Sequence, residues 1–289
     1  MGRGLAVALS SRFETVLVGP PCRPARRIRL STTGCLERSA SVRLMPSGEG
    51  LEGDFCVIAL KAYDIGSAAS HARASASRVI CASNGMGLER EWGPGWDSVE
   101  KAVVMGGFLP RAGGRVEVHP GGLICESGGS AQRLFEGCGL EVASTREMEA
   151  WRWAKWLLNS SLNPVAAVAR AANDELPGLG LEPLVRRILD EIVPAVPRAF
   201  ASRAVVLARG MLDFLLERSA NRCSMLLDLE AGRRTEIEFL TGLAERMLGG
   251  ACPSAAAVAD LVRALSSGSD SVEFRDLPPG SGCAGRERA

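Results

Sequence analysis

Lys155, Asn159 and Asn163 stand four residues apart in the stretch 151–176, WRWAKWLLNSSLNPVAAVARAANDEL. At about 100° per residue, a helix would keep all three within an arc of roughly 80°. Trp156, Leu157, Leu158, Leu162 and Val165 cover the other faces. The segment therefore reads as one helix, buried on most sides and cut by a single polar stripe. A lysine and two amides inside a protein need partners, because an unpaired polar group there is costly. Either neighbouring protein groups satisfy them, or a polar ligand does.

The elements that must position this stripe fall into two halves. In the first, short β-rich runs alternate with helical or loop-like stretches. Residues 5–11 suit the end of a helix, and residues 15–18 (TVLV) a strand closing at Gly19-Pro20-Pro21. A basic segment, CRPARRIRL, and a polar stretch with Gly34, Gly48, Gly50 and Gly53 follow. Residues 55–60 (FCVIAL), 78–82 (RVICA) and 101–106 are continuous apolar runs of the kind buried on both faces of a sheet, whereas 115–119 alternates. This pattern predicts a mostly parallel, doubly wound α/β sheet covered by helices. From about Ser144 long helical patterns take over, at 146–172, 181–200, 202–219, 235–248 and 254–265. The expected organisation is an α/β domain over 1–143, an all-α domain over 144–265 and a disordered tail over 266–289, rich in Gly, Pro, Ser and charge.

Two strand ends deliver polar residues. Residues 55–60 run into Lys61-Ala62-Tyr63-Asp64, and 78–82 into Ser83-Asn84-Gly85-Met86-Gly87. In doubly wound sheets ligands sit beyond the carboxyl ends of the strands. Lys61 and Asn84 would lie there, although Asn-Gly also reads as a plain turn and Lys61 as a solvated helix start.

Composition narrows the classes. A chain of 289 residues with a formal charge of +1 and 23% charged residues gives no footing for nucleic-acid or anionic-membrane binding. Nine cysteines, scattered singly without a CxxC pair, indicate neither a metal site nor a disulfide framework. Reduced thiols in a cytoplasmic protein are the plain reading. No apolar run approaches the ~20 residues of a membrane span, and the opening GLAVALSS resembles a short leader core but is followed at once by Arg12, Glu14 and a strand-like run, so a signal peptide is not the expectation.

Four motifs in order, LKAYD, SNGMG, KWLLNSSLNP with NDEL ten residues after Asn163, and NRCSMLLDLEAGRRTEIEFLTG, resemble ketopantoate reductase, the 2-dehydropantoate 2-reductase family within the 6-phosphogluconate-dehydrogenase-like group. The resemblance runs from Met1 to about Leu265. It implies a Rossmann-like domain joined to a helical one, with NADPH reducing ketopantoate to pantoate on the route to coenzyme A. By the same resemblance Lys155 matches the catalytic lysine that gives the proton as hydride reaches the carbonyl carbon. An ammonium suits that task, since it stabilises a developing alkoxide and then protonates it. Asn159, Asn163, Asn173 and Ser224 match the family's substrate-binding residues. Lys61, Asn84 and Ala112 match positions lining the NADPH site, Gly2 the third glycine of GxGxxG, and Glu236 a glutamate reaching the cofactor from the helical domain. Read without the family, Asn221 and Ser224 at i, i+3 also fit a helix cap, and Glu236 after Arg233-Arg234 a surface ion pair.

Two departures qualify the match. The family opens with a strand and GxGxxG, whose N–H groups hold a pyrophosphate. This chain begins at Met1-Gly2-Arg3-Gly4, so the first strand and first two glycines are expected to be absent, as a start placed too far downstream would leave it. The arginine that usually ends the second strand and meets the 2′-phosphate is replaced by Gly19-Pro20-Pro21, leaving Arg23, Arg26 or Arg27 for that role and NADH not excluded. Three functional expectations follow: ketopantoate reduction, reduction of a related 2-keto acid, or a non-catalytic remnant. The first two take a small 2-keto acid and no nucleic acid, membrane or metal, in a monomer or homodimer.

Overall fold

The computed structural model describes residues 1–20, 22–47 and 51–267, and the elements below are those of the described residues. Helix α1 (Gly2–Leu9) opens the chain, followed by strands β1 (Val16–Gly19), β2 (Arg26–Gly34), β3 (Arg38–Pro46) and β4 (Gly53–Ile58). Then come α2 (Ile65–Ser75), β5 (Ala76–Cys81), α3 (Leu88–Trp92), β6 (Glu100–Val104), β7 (Phe108–Pro110), β8 (Arg115–Val118), β9 (Leu123–Glu126), α4 (Ser130–Phe135) and β10 (Val142–Thr145). The remainder is helical: α5 (Met148–Ala169), α6 (Glu182–Ile192), α7 (Arg198–Arg218), α8 (Ser224–Glu230), α9 (Thr241–Leu248) and α10 (Pro253–Ser267).

The expected architecture, a Rossmann-like α/β part followed by a helical part, is borne out. The strands form two five-stranded sheets, ordered β1-β3-β2-β8-β7 and β10-β9-β6-β5-β4. Parallel pairs (β1/β3, β2/β8, β4/β5, β5/β6, β9/β10) mix with antiparallel ones (β2/β3, β6/β9, β7/β8). β1 and β4 each end a sheet and pair on one side only.

Several local expectations need correction. The basic segment and the Gly34 stretch, where the sequence shows no strand run, form β2 and β3, two nine-residue antiparallel strands. Their faces alternate: in β2, Ile28, Leu30 and Thr32 turn inward while Arg27 and Arg29 stand on the solvent side. Arginine density masks that period-2 signal. Gly48, Gly50 and Pro21 lie outside the described residues. Strand persists through Thr145, so Ser144, the expected start of the helical domain, sits inside β10. The long stretch 151–176 is not one helix, because Arg170 adopts φ 54° and closes α5 just after Ala169. Residues 181–200 break after Ile192, where Pro194 and Pro197 cannot donate to a continuing helix. Residues 235–248 divide into a 3-10 turn and α9, parted at Leu240 with ψ −110°. Of the tail expected from 266 onward, Ser266 and Ser267 complete α10 and the rest lies outside the described residues.

The largest apolar core is built around α5. Trp153, Trp156, Leu157, Leu162 and Val165 pack with residues of α6, α7, α8, α9 and α10, and Trp153 meets Trp156 edge to face with centroids 5.4 Å apart. Burial on this scale holds a long helix in place, so side chains projecting from it have fixed positions. No helix of the described residues is long and apolar enough to cross a membrane.

Candidate active site

A cleft opens between the carboxyl end of β5 and the first half of α5. Ser83, Asn84 and Gly85 form one wall, Lys101 to Val104 of β6 the floor, and Arg152, Lys155, Trp156 and Asn159 the other wall. The cavity is narrow, about 30 Å³, room for roughly one water. Three expected residues, Lys155, Asn159 and Asn84, thus line one cleft.

Lys155 keeps part of its side chain toward the cleft while protein atoms surround its ammonium. The ammonium donates to the carbonyl of Val104 at the end of β6. Burial lowers its pKa from 10.5 to about 8, and the negative charge of Glu236 opposes that change. A lysine poised near neutrality, held at a cleft by a backbone acceptor, is equipped to give up a proton.

Asn84 is positioned by glycine. Gly85 has φ +92°, and a β-carbon there would stand 3.0 Å from Cβ of Phe239. The next residue, Met86, donates its N–H to the Phe239 carbonyl at 3.3 Å, and the same carbonyl accepts from Nε1 of Trp156 on α5 at 3.2 Å. One peptide group therefore joins the loop after β5 to the helix that carries Lys155.

The neighbouring residues of that segment grip in other directions. Glu236 and Asp228 have side chains only 6% and 5% exposed. Lys61, just after β4, places its ammonium 2.6 Å from Asp228 Oδ2 and 3.1 Å from Glu236 Oε2. Glu236 Oε1 accepts the Ala62 N–H at 2.9 Å, and Arg233 Nε donates to Asp228 Oδ1 at 3.0 Å. Burial tends to lower the Lys61 pKa, but Glu236 and Asp228 outweigh it and raise it above the usual lysine value. Glu236 is thus neither a surface ion pair nor isolated. It is buried between Lys61 and the field of Lys155. Glu238 is held by Arg263 of α10 at 2.8 Å, and Thr241 Oγ1 donates to the Ser160 carbonyl at 2.8 Å. That carbonyl needs an outside donor, because residue 164, four on, is proline and has no N–H.

Asn163 and Asn173 are buried further along. Asn163 accepts the Cys223 thiol on its backbone carbonyl at 3.5 Å, and the Asn173 N–H donates to the Asn221 carbonyl at 3.1 Å. Asn173 Oδ1 is buried without a hydrogen-bond partner among the described residues. A buried acceptor left so costs about 1–3 kcal/mol, which a donor on a polar ligand would offset. Ser224 begins α8 with Cys223 as its cap, whose sulfur accepts the Leu226 N–H. The helix cap expected from Asn221 and Ser224 is therefore made by a residue between them. Ser224 itself is exposed at that helix start.

Gly2 starts α1 against Ala59, directly after β4, so the free N–H groups of that helix open near Lys61. Ala112 is apart from these residues, exposed in a 3-10 turn between β7 and β8 in the other sheet. For a dinucleotide the fit is favourable: a helix start, Lys61 and Asn84 stand at the edge beyond β4 and β5. Asp228, Lys101, Arg152 and the Val104 carbonyl were not anticipated. One signal was available for Lys101. Of 34 basic residues only three are lysine, at positions 61, 101 and 155, and all three are at this cleft or the ion cluster beside it.

The eight cysteines among the described residues are free, and Cys283 lies outside them.

Residues 147–266 match the family model described as ketopantoate reductase PanE/ApbA C terminal. The 2-dehydropantoate 2-reductase of Archaeoglobus fulgidus is 26% identical over 246 residues, 80% of this chain and 83% of that protein. Among solved structures, the dimeric ketopantoate reductase of Staphylococcus aureus superposes with a TM-score of 0.73 at 18% identity, covering 91% of this chain and 94% of that one. A D-mandelate dehydrogenase in ternary complex with NADH and anilino(oxo)acetate is equally close in fold, with a TM-score of 0.73, 16% identity and the same coverage of 91% and 94%. The family model falls on the helices that carry Lys155 and Glu236, and the sequence relative extends the likeness across the strands that carry Lys61 and Asn84. The helical part of the chain thus matches the ketopantoate reductase C-terminal model, and four-fifths of its length is similar to 2-dehydropantoate 2-reductases.

Proposed function

We propose that this protein reduces ketopantoate to pantoate with NADPH, residues 1–143 holding the cofactor and 144–265 the substrate. The observation that carries the reading is Lys155, lowered to about 8 by burial, bonded to the Val104 carbonyl of β6 and lining one cleft with Asn84 and Asn159. The start of α1 at Gly2 and the side chains of Lys61, Asn84 and Glu236 would hold the cofactor, and Ala112, apart in the other sheet, would not. When bound, NADPH supplies the hydride to the carbonyl carbon. Lys155 polarises the ketone oxygen, stabilises the alkoxide and protonates it. Asn159 stands one turn along to orient the same oxygen. Asn163, Asn173 and Ser224 take the polar groups at the far end of the substrate, where Asn173 Oδ1 has an unused acceptor. Glu236 keeps negative potential near Lys155 and favours its charged form.

The direct test follows loss of the reduced nicotinamide on adding ketopantoate, with pantoate identified as product. Stoichiometric pantoate supports the reading, and no turnover with either nicotinamide overturns it. A second reading, reduction of a related 2-keto acid with NADH, is favoured by Gly19-Pro20 at the end of β1 in place of an arginine. Arg23, Arg26 and Arg27 follow that strand end and are exposed. Replacing all three by glutamine should weaken NADPH roughly ten- to hundredfold and leave NADH unchanged if they meet the 2′-phosphate.

A further inference from the structure

Helix α7 turns Ala204, Ala208, Leu212 and Leu216 into the core around α5. Its opposite side faces solvent, yet that side is not uniformly polar. Val206 is 64% exposed and Phe214 58%, with Gly210 midway between them. At about 100° per residue the three fall within roughly 80° of arc, so they form one stripe along the helix. Glycine inside a helix is costly relative to alanine, because it gives up more backbone freedom. No crowding among the described residues asks for it, since a β-carbon at 210 would have no atom within 4 Å. A backbone approaching from outside would.

The charges along the stripe are arranged about the same glycine. Arg203 and Glu217 stand two turns to either side of it, and both are exposed. Arg203 gives its Nε to Glu147 at 3.0 Å, which leaves its two Nη groups without a partner among the described residues. Glu217 has Arg218 at 3.8 Å, too long for a hydrogen bond. Arg209 and Asp213, on the flanks, are already held by Asp190 at 2.8 Å and Arg186 at 2.7 Å.

We propose that this stripe is where two copies of the chain associate, α7 against α7, antiparallel across a two-fold axis through Gly210. Such an axis sets each residue before Gly210 opposite the one equally far after it in the other copy. Val206 then packs on the partner's Phe214 and Arg203 meets the partner's Glu217, each contact being made twice. Gly210 lets the two backbones come close at the axis. This register sets no like charges opposite each other, whereas a parallel pairing would set Arg203 against the partner's Arg203. The ion pairs are exposed, so they choose the orientation more than they add affinity. A helix of 21 residues is about 31 Å long, and one such pair buries less than the roughly 800 Å² per partner of a standard interface. The dimer is therefore expected at micromolar rather than nanomolar concentration. The inference concerns assembly and stands apart from the reaction.

The test is sedimentation velocity of the full chain from about 1 to about 100 µM. A dimer fraction that rises over this range is expected, and a monomer throughout would overturn the proposal. Phe214→Glu places a charge in the contact and should weaken association roughly ten- to hundredfold. Unchanged association would overturn it as well. The register has its own test in Arg203→Glu and Glu217→Arg, each of which sets like charges opposite one another. Each variant alone should associate roughly tenfold more weakly than wild type. Mixed in equal amounts they should regain about wild-type association, because one chain then carries an acid at both positions and the other an arginine. Recovery in the mixture also shows that the loss in each variant alone is not a folding defect. A mixture no tighter than its components would show that these residues do not meet, and would overturn the antiparallel contact.

Discussion

Burial lowers the pKa of Lys155 to about 8 while Glu236 pulls it up, so the residue is a strained cation rather than a comfortable one. A lysine whose folded pKa lies below its unfolded value of 10.5 costs stability whenever it is charged. That cost is full below pH 8 and fades as pH rises toward 10.5, because the unfolded chain then also loses the proton. Lys155→Met should therefore raise stability near pH 7 by roughly 1–3 kcal/mol, at about 1.4 kcal/mol for each tenfold change in proton affinity, while abolishing turnover. Urea unfolding at pH 7 and at pH 10 checks both the gain and its decline. A loss of stability at pH 7 would show that the Val104 carbonyl and Glu236 more than compensate for burial.

At the scale of elements, the loop after β5 and the segment 236–241 fix the site between them. Gly85 needs φ +92° and lies against Phe239, so Gly85→Ala should cost about 1–3 kcal/mol and weaken cofactor and substrate binding together by displacing Asn84. Thr241→Val removes the only side-chain donor to the Ser160 carbonyl among the described residues, and should cost about 1–3 kcal/mol with little change in KM. Thermal unfolding beside steady-state kinetics separates the two outcomes. Much of this arrangement was legible in sequence. The Lys155 and Asn159 spacing marks the face of α5 that lines the cleft, and the apolar runs mark β4, β5 and β6, because buried strands and one-sided helices leave strong periodic signals. β2 and β3 were illegible because exposed arginines crowd the solvent face of a strand pair whose inward residues alternate singly. The role of Asp228 was hidden for another reason: its partner Lys61 is 167 residues away in sequence. Only tertiary packing brings them within 2.6 Å.

Taken as a whole molecule, the two halves are held together by Lys61, Asp228 and Glu236 on one side and by the Phe239 carbonyl on the other. The cleft lies between these halves, so their closure over substrate would exclude water and strengthen its charge interactions. Removing one partner of a buried ion pair is costly, though Lys61 at 31% side-chain exposure tempers it. Asp228→Asn should lower stability by roughly 1–3 kcal/mol, read by urea unfolding, and raise the KM for substrate more than it lowers kcat. An unchanged KM would mean that this pair does not govern closure. The central claim, that Lys155 is the proton donor of a ketopantoate-reducing enzyme, is tested most directly by kcat/KM for ketopantoate as a function of pH in wild type and Lys155→Ala. The acid must be protonated, so wild type should hold a plateau below about pH 8 and lose about tenfold per pH unit above it. Lys155→Ala should fall by roughly 10²–10⁴-fold on the plateau and lose that alkaline limb. Near-normal turnover in Lys155→Ala, or the same limb persisting in it, would contradict the account.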